Sequence, residues 1–273
     1  MMIPRAPQSN RNKEIKTMRR TMVFAKRNLI EVVRDPLSWI FCIAFPIVML
    51  IIMSIVNSAI PKEAGNTLFR IDNLAGGIAV FGQMFIMLFT AIAVAKDRSG
   101  AFLTRLYSSP MKSGNFVWGY ILPMLLTAVI QVCFSLIAAI VISLITGYSL
   151  NLLGLLLAVA AVIPSALMFA AIGFLFGTFF NDKAAPGICS IIISLGAMLG
   201  GIWFDVEGVG GFMYKLGRCL PFLYATKLAR SAIDLEFGVK EFLLPLGVVV
   251  FAAFILTLIA SIVFKGRMRA DQR

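Results

Sequence analysis

Histidine is absent from this sequence, which removes the commonest metal ligand and the commonest general base at neutral pH. Charge is scarce as well: 14% of the 273 residues are Asp, Glu, Lys or Arg, where a soluble domain has about a quarter. Four cysteines, Cys42, Cys133, Cys189 and Cys219, share no CxxC or paired spacing. Three of them lie inside hydrophobic runs, where a cysteine acts as a small apolar residue, so a disulfide framework is not expected. No GxxxxGK[ST] phosphate loop occurs, which excludes the usual mode of ATP binding by this chain itself.

Apolar residues are what the sequence has in abundance. They make up 60% of the chain, and the mean hydropathy of +0.92 puts it in the membrane class. A spanning helix needs about 20 apolar residues. Six stretches meet that length: Leu37–Ile60, Leu74–Ala95, Val117–Ile145, Leu152–Phe180, Ala184–Trp203 and Phe242–Phe264. None contains Asp, Glu, Lys or Arg, as expected when a charge at a helix centre costs about 2.5–3.5 kcal/mol on the insertion scale. Pro36 and Pro186 sit near span starts, where a missing N–H costs little. Pro46, Pro123 and Pro164 fall inside spans and should kink them or make them irregular. The long polar lead before the first span, and the length of that span, argue against a cleavable signal peptide.

Lys and Arg outnumber Asp and Glu 25 to 13, a net charge of +12. The basic residues flank hydrophobic runs instead of sharing a face with exposed aromatics, which argues against nucleic-acid binding. With both termini cytoplasmic, the inside segments hold 18 basic and six acidic residues and the outside segments seven of each. The whole excess then lies inside, as the positive-inside rule requires. The expected organisation is a cytoplasmic segment over 1–36, a six-span domain over 37–264 and a cytoplasmic tail over 265–273. Phe204–Glu241 is too apolar for a plain loop, but Lys215, Arg218, Lys227 and Arg230 interrupt it too often for a span. Two short helices broken near Pro221 and dipping into the outer leaflet fit it, with Tyr224 in the second; a cap on the surface is the alternative.

Three further features carry candidate functions. Glu14–Arg34 reads as an amphipathic helix in the inner interface, with Ile15, Met18, Met22, Ala25, Leu29 and Val32 on one stripe and basic residues largely off it. It would orient the first span, or act as a lever on it. Ala95–Phe116 is a charged island between two spans. Within it Phe102, Leu103, Leu106 and Tyr107 share one side of a short helix ended by Pro110, a pattern suited to a groove on a partner or to the membrane surface. Gly173/Gly177 and Gly196/Gly200 have the GxxxG spacing that lets helix backbones approach closely. Gln83 and Gln131, the largest polar side chains in the spans, are candidates for interhelical hydrogen bonds or for lining a substrate path.

The spans offer no titratable side chain of the kind that proton-coupled carriers and pumps place within the membrane. Sodium coupling through backbone carbonyls at broken helices stays open. A protein with six spans, no visible energy source and a partner-shaped island on its basic side points to energy supplied by another subunit.

Three stretches then carry a resemblance. Arg27–Leu50, "RNLIEVVRDPLSWIFCIAFPIVML", resembles the start of the first span in permease subunits of type-two ATP-binding-cassette exporters, with Arg27-Asn28-Leu29 on the interfacial helix, Arg34-Asp35-Pro36 at the membrane edge and Phe45-Pro46 inside the span. The island is similar to that family's loop between spans two and three, through Asp97-Arg98, Phe102-Leu103, Leu106 and Pro110. "LPFLYATKLAR" over Leu220–Arg230 is similar to its segment before the last span. The resemblance implies an all-α integral membrane protein: six spans, an N-terminal interfacial helix and a re-entrant helical hairpin before the last span. It further implies two permease subunits (a second copy or a paralogue) and two ATPase subunits that use ATP and Mg, with no cofactor in this chain. The island becomes a coupling helix seated on the ATPase, and the location becomes the cytoplasmic membrane of a bacterium, in contact with lipid. Uncharged spans in a chain with 23 Phe and 14 Met suit a hydrophobic or amphiphilic cargo such as a drug, antibiotic or lipid-like molecule. A membrane scaffold or immunity protein that transports nothing is the rival from another class.

Overall fold

The computed structural model describes the backbone of residues 8–61, 67–100 and 111–270, and side chains from residue 17 to residue 267 within those ranges. Among the described residues the structure is helical. In chain order the helices are α1 (Gln8–Arg34), α2 (Pro36–Ala59), α3 (Ile71–Ser99), α4 (Ser113–Thr146), α5 (Leu152–Ala161), α6 (Ile163–Phe179), α7 (Ala184–Leu199), α8 (Val206–Val209), α9 (Gly211–Cys219), α10 (Pro221–Ile233) and α11 (Val239–Arg267). Five segments are long and apolar enough to cross a membrane: α2, α3, α4, the α5–α6 pair and α11. The fifth expected span is shorter than its apolar run. α7 has 16 residues, about 24 Å at 1.5 Å per residue, because the chain turns at Gly200 and at Gly201, whose φ of +71° falls in the left-handed region.

Helix α3 is the centre of the bundle. Of its most apolar 18 residues 83% are buried, against 17% for α2 and for α11, which lie at the periphery. Small residues let its neighbours close in. A Cβ on Gly173 of α6 would lie 2.2 Å from the Met87 carbonyl oxygen, and one on Gly177 would lie 2.5 Å from that of Ala91. The first glycine pair therefore marks backbone-to-backbone packing of α6 on α3. The second pair differs: a Cβ on Gly196 would meet only the side chains of Met84 and Phe222 at 3.3 Å or more, while one on Gly200 would meet the carbonyl of Gly196 in its own helix. Facing α2, the rings of Phe81 and Phe85 pack on Phe41 and Phe45 at centroid distances of 5.5–6.0 Å.

Two of the three interior prolines have a local irregularity. Ahead of Pro46, α2 widens into a π-turn over Ile40–Ala44, the Phe45 N–H reaching back to the Ile40 carbonyl. Pro123 is carried within continuous α4. Pro164 breaks the fourth span into α5 and α6 at Val162. The Val162 carbonyl there accepts from Gln83 Nε2 at 3.1 Å, and Ser165 Oγ donates to Gln83 Oε1 at 2.7 Å. Gln83 is thus a cross-helix support for a proline break. Gln131, equally buried, rests against Gly82 of α3 and bonds Ser135 Oγ at 3.0 Å. Gln83 therefore bridges two helices, whereas among the described residues Gln131 bonds only within α4 and its Oε1 has no hydrogen-bond partner.

Phe204–Glu241 contains the break expected at Pro221, between α9 and α10. Leu220 adopts an extended conformation there, and α8 is a further single turn before them. The two longer pieces have different surroundings. α10 buries Phe222, Leu223, Ala225, Leu228, Ala229, Ala232 and Ile233 against α3, α5 and α11, while α9 leaves Phe212 and Leu216 exposed.

Candidate functional site

An acidic residue suits the start of a helix and not its end, because the helix dipole is positive at the N-terminus. Asp72, in the first turn of α3, obeys this. Asp97, in the last turn, does not, and it is also buried. A carboxylate so placed needs donors, and three helices supply them or their framework. Arg27 of α1 makes a two-pronged contact, Nη1 to Oδ2 at 2.6 Å and Nη2 to Oδ1 at 3.1 Å. Tyr120 of α4 donates its hydroxyl to Oδ2 at 2.7 Å. Such a charge-assisted fork fixes direction as well as distance. Burial works against the Arg27 charge, but the hydrogen bond and charge of Asp97 outweigh it and hold the guanidinium above its ordinary value. Glu31, one turn along α1, takes a further bond from Arg27 at 2.6 Å.

Packing locks the same joint. Phe24 of α1 sits in a notch at Gly119, where an added Cβ would be 2.3 Å from its ring. Its ring meets Tyr120 edge-on at 5.0 Å and Phe116 at 5.9 Å. The buried Asn28 side chain donates to the Gly119 carbonyl at 3.0 Å. On the other side of Asp97, Arg98 donates to the carbonyls of Gly177 and Thr178, the closing turn of α6, where a cation complements the helix dipole. Phe264 of α11 reaches the site too, 5.8 Å from Phe116 and 5.2 Å from Phe174. Both ends of the island are therefore clamped, one by Asp97 and Arg98 and the other by Phe116 and Tyr120.

The structure places Asp97 and Arg98 facing into the bundle, bonded to α1, α4 and α6. Phe102, Leu103, Leu106, Tyr107 and Pro110 lie outside the described residues. Arg34 is exposed. Asp35 caps α2, accepting from the backbone N–H of Ser38 at 3.1 Å and from its hydroxyl at 2.6 Å, with Pro36 at the first helical position. Tyr224 lines a cavity at the other end of the bundle.

The α1 stripe needs correction. Ala25 and Val32 are buried, and so are Phe24 and Asn28, while Met18 and Met22 are exposed. Two adjoining faces account for this: Phe24, Ala25, Asn28 and Val32 grip the bundle, and Met18, Met22 and Val33 beside them carry the unpartnered apolar surface. Sequence reading missed Tyr120 and Glu31, and took Asn28 only as part of the Arg27-Asn28-Leu29 stretch of the resemblance. Only the i,i+4 spacing of Arg27 and Glu31 signals any of these contacts.

No curated protein matches the sequence. The family model of the ABC-2 type transporter does, over residues 19–233, from within α1 through α10. With its uncharged apolar helices and the bonded island ends inside that match, the chain belongs to the ABC-2 type transporter family, as a multi-pass membrane permease.

Proposed function

We propose that this permease exports a hydrophobic or amphiphilic molecule, using ATP hydrolysed by a separate subunit docked on the Ala95–Phe116 island. The observation that carries the reading is the Arg27–Asp97–Tyr120 cluster, since it ties the interfacial helix, span two and span three at the point where the island leaves the bundle. A push on the island would be handed to α3, and α3 touches most of the bundle. Two permeases and two ATPases form the working assembly, and no group in this chain replaces ATP as the energy source. Cargo chemistry is inferred from the uncharged spans.

Transport should persist when the proton gradient is collapsed with ATP maintained, and stop when the ATPase loses its phosphate-loop lysine. Loss of transport on collapsing the gradient alone would favour an ion-coupled carrier instead.

In the membrane the chain crosses six times, α7 as a short fifth span, with both termini cytoplasmic and α9–α10 re-entering from outside. The basic excess of the segments assigned to the inside supports this arrangement. A cysteine at Gly210 should react with an impermeant maleimide on intact cells, and one at Ser113 only after lysis. Labelling of Ser113→Cys from outside would overturn the orientation.

A further inference from the structure

Asp97 is matched at the opposite end of α3. Asp72, in the first turn, is buried like it, and it too is held by an arginine and a tyrosine. Arg70 Nε lies 2.9 Å from both carboxylate oxygens and Nη2 lies 2.5 Å from Oδ2. The Tyr148 hydroxyl, just past the end of α4, donates to Oδ2 at 2.9 Å, and the Arg70 guanidinium is 5.4 Å from the centre of that tyrosine ring. Tyr120 near the start of α4 and Tyr148 beyond its end therefore tie α4 to both ends of α3. The two joints stand about 38 Å apart along α3 at 1.5 Å per residue. No hinge separates them: α3 is one unbroken α-helix and, of the five long segments, the only one without a proline.

Arg230 of α10 joins the outer end one turn further along. Gly76 and Gly77 of α3 form its seat: a Cβ on Gly76 would lie 2.9 Å from the Arg230 backbone nitrogen, and one on Gly77 would lie 3.3 Å from Nη2. From this seat Nε donates to the Asn73 carbonyl of α3 at 2.9 Å. Nη2 donates to the Gly201 carbonyl at 3.0 Å, in the turn that ends α7. A planar fork bonded to carbonyls on two elements fixes direction as well as distance, so α3, α7 and α10 meet on one side chain. Both bonds are lost beyond about 3.5 Å. A shift of α3 must therefore carry α10 with it or break the joint.

We propose that α3 is a strut that carries displacement from its inner joint to α10, with Arg230 as the positioning residue at its outer end. Asp72 and Tyr148 keep α4 moving with α3, so that displacement is not spent in shear between the two helices that flank the island. The inner joint sits where the island leaves the bundle, and the strut rests on the proposed function for what drives that end. The linkage between the two ends belongs to the permease alone.

Hydrogen–deuterium exchange on the full-length chain in lipid nanodiscs, with no ATPase, nucleotide or cargo present, tests the linkage. Tyr120→Phe and Asp97→Asn alter only the inner joint, yet each should speed exchange of the α10 amides about threefold. Arg230→Lys keeps the charge and loses the fork, so adding Tyr120→Phe to it should speed α10 no further. Should Arg230→Lys not fold, Arg230→Gln, which leaves no cation to bury, takes its place. General destabilisation would instead speed α10 equally in either background, because sites this far apart act additively. Unchanged α10 exchange in both inner variants overturns the strut, and so does a rise of equal size with and without Arg230. Neither result bears on whether ATP drives transport, which the gradient test decides separately.

Discussion

Asp97→Ala should loosen the interfacial helix from the bundle and cost about 2–4 kcal/mol of stability. The substitution removes the acceptor of a fully buried Tyr120 hydroxyl, and a buried donor left unpaired costs about 1–3 kcal/mol. It also strands Arg27, whose side chain is 31% exposed, so water and Glu31 recover part of that loss. The remainder is a factor of roughly 30 to 1,000 in the equilibrium between docked and released α1. Two measurements check it: thermal unfolding in detergent, and the rate of proteolysis at the exposed basic residues of α1. Asp97→Asn keeps an oxygen for Tyr120 and should lose about half as much. In a double-mutant cycle, Arg27→Ala on top of Asp97→Ala should cost less than the sum of the two, since no unpaired cation is left. Wild-type stability and proteolysis in Asp97→Ala, together with an additive cycle, would remove this cluster as the joint between island and bundle.

Legibility in the sequence followed how local each determinant is. Apolar runs were legible because membrane insertion acts on composition over about 20 residues, and five of the six correspond to long apolar helices within a few residues of the expected limits. α7 was overestimated because composition does not register a turn; Gly200-Gly201 was visible, but so was a GxxxG pair that argued for continuity. The glycines of α6 could be read as packing residues without their partner being known. For Gln83 two readings were open, and the choice required knowing that the Val162 carbonyl and the Ser165 hydroxyl, beside the Pro164 break on another helix, lie against it. Asp97 carried a local clue of another kind, an acid at the wrong end of a helix. Its partners lie 70 residues before and 23 after it, beyond any pattern a single sequence displays. The α1 stripe shows the same limit. Periodicity finds an apolar arc, but only the position of Gly119 on α4 decides that Phe24, and not Met22, points into the protein.

The double change Phe102→Asp, Leu106→Asp should release the ATPase while leaving the permease in the membrane. These residues lie outside the described structure, so their spacing is the starting point: four apart on a helix, they would share a face with Leu103 and Tyr107. Asp97 and Arg98, a few residues before them, are bonded into the bundle. If the shared face fills a groove on the ATPase, each aspartate places a carboxylate against apolar surface. A buried unpaired charge costs about 3–5 kcal/mol, and a complex of micromolar affinity holds only about 8 kcal/mol in total. Two such charges, about 6–10 kcal/mol together, cancel most or all of that affinity. Insertion should be unaffected, because neither position falls in an apolar run. A segment that merely rests on the membrane would be loosened by the same change with the ATPase still bound, which separates the two readings. The measurement is co-purification of the ATPase with wild-type and doubly substituted permease in detergent, at equal permease recovery. A fall in bound ATPase to a few per cent of wild type is the expected result; equal recovery with both would leave the island as an interfacial anchor and return the search for the docking surface to the exposed basic face of α1.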